Sequence, residues 1–87
     1  MLFLISSAPE TKEFQTAYKM AEVMNAEICL LQNAVYAATG SDNPVHYALR
    51  DDLDLRGIDK DTIKAKAIDY SQLVDLMTET DKVVGFF

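Results

Sequence analysis

Glu27-Ile28-Cys29-Leu30-Leu31-Gln32-Asn33-Ala34-Val35-Tyr36-Ala37-Ala38 is the stretch whose reading decides the fold. Its first half is a continuous apolar run rather than an alternating one, and a strand of that kind needs a covering layer on both faces. Its second half turns polar at Gln32 and Asn33 and then becomes alanine-rich, with Asn33 placed to cap a short helix. A strand, a polar pair and a helix in that order predict a largely parallel sheet covered by helices.

Working outward, four more runs read as strands: Leu2 to Ser6, Val45 to Leu49, Ala65 to Ile68, and Lys82 to Phe86. With Glu27 to Gln32 they predict five strands, and the segments between them carry helical spacing or turn residues. Ser7 and Glu10 have the spacing of a capping box, which starts a first helix there. Phe14, Ala17, Tyr18, Ala21 and Met24 then recur at helical spacing and are expected in the core. Thr39-Gly40-Ser41-Asp42-Asn43-Pro44 is turn-forming and ends the second helix. Asp51 and Asp52 favour the positive end of a third helix, and Gly57 is placed to end it. Asp69 and Gln72 form a second capping box ahead of Leu73, Val74, Leu76 and Met77. The closing Val83-Val84-Gly85-Phe86-Phe87 reads as a strand that completes the core, in a position where an edge strand can also meet a partner.

The totals set bounds. The chain has 87 residues, 49% of them hydrophobic and 25% charged, so one domain spanning residues 1–87 with a packed core is expected. The apolar Met1 to Ile5 lacks a basic leading region and is soon followed by polar residues, so it reads as neither signal peptide nor membrane span and predicts a cytoplasmic protein. One cysteine offers no internal disulfide. A net charge of −6 with no basic stripe argues against tight, direct nucleic-acid binding by this chain alone.

Few residues carry chemistry. Cys29 is the sole thiol and a weak catalytic candidate, because a sulfur nucleophile must be a reachable thiolate and the middle of an interior strand makes a cysteine a small buried hydrophobe. His46 is the sole histidine, which leaves no ligand set for a structural metal; a surface or edge-strand role is expected of it. Asp51 and Asp52 lack the acidic partners at the first strand end that a phosphoacceptor pocket needs, since Ser6 and Ser7 stand there, and they read as a solvated helix start. Gly40, Gly57 and Gly85 stand too far apart for a phosphate loop, and no cofactor is expected. Ser6, Gln32, Asn33, Arg50 and Asp51 fall at predicted carboxyl ends of strands, where open α/β sheets build ligand or partner clefts.

The order of these pieces resembles the DsrH/TusB family, the smallest of three related subunits in the DsrEFH and TusBCD sulfur-relay complexes. Leu30-Leu31-Gln32-Asn33-Ala34-Val35-Tyr36-Ala37-Ala38 is similar to the family's strand, polar pair and Ala-rich helix. Tyr47-Ala48-Leu49, Asp52-Leu53 and Leu55-Arg56-Gly57 resemble its next strand and its D-L-x-x-R-G helix end. Ile68-Asp69-Tyr70-Ser71 and Leu73-Val74-Asp75-Leu76 resemble its D-Y-x-x-F-V-x-L segment, with Leu73 in place of the aromatic. The resemblance implies a three-layer α/β/α sandwich on a five-stranded, mostly parallel sheet of the DsrEFH-like type. It implies a non-catalytic partner subunit of a sulfurtransferase complex, with DsrE/DsrF (TusD/TusC)-like sister subunits or self-association, and in the Tus branch thiolation of the tRNA wobble uridine. Some DsrH members carry a cysteine in the first helix, where this chain has Thr16-Ala17-Tyr18-Lys19-Met20. Two alternatives stay open: direct persulfide carriage by Cys29, and a small-ligand module using the strand-end cleft.

Overall fold

The five apolar runs form strands β1 (Leu2–Ile5), β2 (Glu27–Leu30), β3 (Tyr47–Leu49), β4 (Lys66–Ile68) and β5 (Val83–Phe86) in a computed structural model that describes residues 1–39 and 45–86. They make one sheet in the order β4-β3-β2-β1-β5, and each neighbouring pair is parallel. Parallel neighbours require crossovers, and right-handed crossovers fix the layers. Steps from β1 to β4 all run one way, which puts helix α1 (Lys12–Met24), a 3-10 helix (Gln32–Thr39) and helix α2 (Arg50–Leu55) on one face. The last connection steps back past β1, so helix α3 (Tyr70–Glu79) covers the other face.

Alternation along the strands divides the core accordingly. Phe3, Ile5, Ile28, Leu30 and Ala48 point toward α1 and the 3-10 helix, where Phe14, Ala17, Ala34, Val35 and Leu53 meet them. Leu2, Leu4, Cys29, Leu49 and Ile68 point the opposite way, under Leu73 of α3. All of β1 is buried, as its interior place between β2 and β5 requires. Each large apolar side chain taken from water contributes roughly 1.5–3 kcal/mol.

The ends of the helices show which sequence signals won. Asp69 and Gln72 form the expected capping box of α3, with Gln72 N–H donating to Asp69 Oδ1 at 2.8 Å and Asp69 N–H to Gln72 Oε1 at 2.9 Å. Gly57, at φ +69°, closes α2 as expected: Gly57 N–H reaches the Asp54 carbonyl and Ile58 N–H the Leu53 carbonyl, satisfying two orphan acceptors. The Ser7–Glu10 capping box does not form. Thr11 caps α1 instead, accepting the Phe14 N–H at 3.2 Å, because Ala8 precedes Pro9 and is pushed out of the helical region.

Two further expectations are corrected. Asn33 lies inside the 3-10 helix rather than capping it. That tight winding eclipses positions three apart, and Ala34 and Ala37 are small enough to pack there against the sheet. Of the α1 stripe, Phe14, Ala17 and Ala21 are buried and Tyr18 half-buried, but Met24 is 45% exposed, on the flank of the helix that it shares with Met20 and Val23. In α3, Leu73 is buried, whereas Val74 and Met77 are exposed. The predicted turn at Gly40 to Pro44, and Phe87, lie outside the described residues.

Candidate functional site

The carboxyl ends of the parallel strands bring the predicted cleft residues to one end of the sheet, in three separate settings. Ser6 follows β1, and its N–H donates to the Phe86 carbonyl at 3.0 Å with its hydroxyl at 3.4 Å from the same oxygen. This ties the loop after β1 to the end of β5. Arg50 opens α2, and its guanidinium lies 3.8 Å from Asp69 at the end of β4. Both groups are about two-fifths exposed, so the pair is screened and contributes at most about 1 kcal/mol. Asp51 is exposed beside it.

Gln32 and Asn33 belong to the third setting, which is the most constructed. Gln32 takes φ +48°, a left-handed conformation that costs a residue with a Cβ about 1–2 kcal/mol. Asp52 holds it there by accepting the Gln32 N–H at 2.8 Å. Arg56 completes the group, donating from Nε to Asn33 Oδ1 at 3.1 Å and from Nη1 to the Asp52 carbonyl and carboxylate at 3.2 and 3.4 Å. Asp52 and Arg56 are 15% and 16% exposed, so Asp52 is a part-buried clamp and not the solvated helix start expected of it. The sequence signal for the pair was its i, i+4 spacing; nothing local announced the tie to Gln32, 20 residues away.

Cys29 belongs to the core cluster under α3. Its side chain is fully buried on the α3 face of the sheet, in register with Leu4 on one side and Tyr47 on the other. Burial, reinforced by the negative charge of Asp52, pushes its thiol up from 9.0 to about 12. Neither cation nor helix N-terminus offsets that shift, so the sulfur is a protonated thiol at neutral pH.

His46 is exposed just before β3, which lies between β2 and β4 and is therefore an interior strand, not an edge. Its Nδ1 accepts the Ile28 N–H at 3.2 Å, supplying the acceptor that β3 does not extend far enough to provide. Tyr47 donates to Glu27 Oε2 at 3.1 Å, and burial with that acidic neighbour raises its phenol. Among the described residues, no three His, Cys, Asp or Glu side chains converge as a metal site, and no helix is long and apolar enough to cross a membrane.

The strand-end surface thus holds fixed polar groups, while the one thiol is sealed on the α3 face. A family model described as "DsrH like protein" matches residues 6–83. No curated protein matches the chain.

Proposed function

The chain belongs to the DsrH family, and from that premise we propose that it is a non-catalytic subunit of a sulfurtransferase complex in the cytoplasm, acting in thiolation of the tRNA wobble uridine or a related sulfur-trafficking pathway. Family membership implies a sulfur-relay role within a multi-subunit complex. The burial of Cys29 is the observation that supports a helper role inside that relay: a thiol at 0% exposure with its pKa raised to about 12 can neither reach a persulfide donor nor attack it. A sister subunit then carries the sulfur. The net charge of −6 supports leaving contact with an anionic acceptor to that partner.

Intact-mass analysis after incubation with a persulfide donor tests the proposal. The expected result is an unchanged mass. A gain of one sulfur atom that disappears in Cys29→Ser would make this chain a direct carrier and overturn the helper role. Co-purification from native cells is expected to recover a cysteine-bearing subunit of related fold.

A further inference from the structure

The two edges of the sheet differ in chemistry. Beside the β4 edge, Lys66 of the strand faces Gln72, Asp75 and Glu79 of α3 across a polar hollow. Beside β5 the helices turn apolar flanks outward. On one face, Met20, Val23 and Met24 of α1 are 42, 82 and 45% exposed and line a shallow groove of about 370 Å³. The same flank reaches Phe86 of β5 through Thr16. On the other face, α3 aims Gln72, Asp75 and Glu79 at β3 and β4, so helical periodicity leaves Tyr70, Val74 and Met77 on the flank toward β5.

The backbone of β5 is also open on that side. Leu2 N–H donates to the Lys82 carbonyl and Ser6 N–H to the Phe86 carbonyl, with Leu2 in register with Val83. The even-numbered residues of β5 therefore face β1. Val83 and Gly85 point their N–H and C=O groups outward, where no strand pairs with them among the described residues. Gly85 adds no side chain, which lets a second backbone approach closely.

We propose that this edge docks a second copy of the chain, the two β5 strands pairing antiparallel about a two-fold axis at Val84. The inference rests on the reading of the chain as an assembling subunit and adds the surface and the symmetry. Val83 and Gly85 flank Val84 equally, so Val83 of each copy exchanges both backbone hydrogen bonds with Gly85 of the other. Charge permits self-docking. Lys12 and Glu13 line the hollow beside Phe86, Lys19 lines the methionine groove, and Asp81 and Lys82 lead into β5, with Asp81 held by the N-terminal amine at 3.5 Å, so the chain's excess negative charge lies elsewhere. A two-fold normal to the sheet sets the α1 flanks face to face on one side and the α3 flanks on the other. Strand spacing of about 4.8 Å separates the two β1 strands by roughly 14 Å, a gap the methionine and valine side chains of α1 help fill. A single peptide strand would pair with β5 but leave those flanks in water.

Light scattering of the purified chain at roughly 100 µM, where a contact with a Kd of about 1 µM is nearly saturated, tests the edge. The expected mass is twice 9.7 kDa. The exposed double variant Met20→Glu/Val23→Lys is expected to be monomeric with an unchanged far-ultraviolet circular dichroism spectrum. Val74→Lys on α3 gives an independent disruption should the double variant misfold. Leu55→Lys, on α2 away from this edge, is expected to stay dimeric. A monomeric wild type, a dimer that survives the folded edge variants, or dissociation by Leu55→Lys would each overturn the proposal. None of these results bears on sulfur transfer to Cys29, so the helper role stands or falls separately.

Discussion

Above pH 9 an exposed thiol ionises, but Cys29 stays protonated in the native protein until about pH 12. Between those values the unfolded chain binds fewer protons than the folded one, so native stability is lost as pH rises. The contribution is fully present below pH 9 and declines toward pH 12 by about 1.4 kcal/mol per pH unit. Denaturant melts from pH 8 to 11 are expected to show this slope, and Cys29→Ala to reduce it by that amount. A thiol-reactive probe at pH 8 is expected to label wild type only after unfolding. His46 works at the same scale. Its Nδ1 satisfies the N–H of Ile28, which is 2% exposed, so His46→Ala is expected to cost about 1–2 kcal/mol by denaturation although the imidazole is at the surface.

At the scale of elements, caps decide where helices begin. Thr11 satisfies an orphan donor of α1 and also donates its hydroxyl to the Ala8 carbonyl at 2.7 Å. Thr11→Ala is expected to cost about 1 kcal/mol in a denaturant titration, while Ser7→Ala stays within about 0.5 kcal/mol. Equal losses would place the helix start where sequence spacing first suggested it. The clamp after β2 is a connection between elements. Asp52→Ala leaves Gln32 strained and its N–H unpaired, and it removes an acceptor from Arg56; a loss of about 1–3 kcal/mol is expected, read from the denaturation midpoint.

For the whole molecule, the vulnerable feature is closure of the sheet at β5. Phe86 packs on Phe3 with ring centroids 5.2 Å apart, joining the last strand to the first across the full length of the sequence. A domain of this size has about 4–13 kcal/mol of stability. Phe86→Ala, removing a half-buried ring, is expected to cost about 2–3 kcal/mol and to lower the thermal midpoint by about 10 °C or more. If β5 also forms the dimer contact, the midpoint of wild type will rise with protein concentration.

The strands were legible because a strand covered on both faces must be continuously apolar, and Ile28 to Leu30 and Leu2 to Ile5 satisfy that requirement by themselves. The α3 capping box was equally local, since both of its partners lie within one turn. The start of α1 was misplaced because one local rule overrode another, the proline at position 9 excluding a helix that the Ser7–Glu10 spacing invited. Strand order, the Asp52 clamp on Gln32, and the paired apolar flanks beside β5 have no local cause. They arise only in the tertiary arrangement, which sets β2 beside β3 and brings β5 back to β1, and that placement decides which side chains, from distant parts of the chain, share a surface.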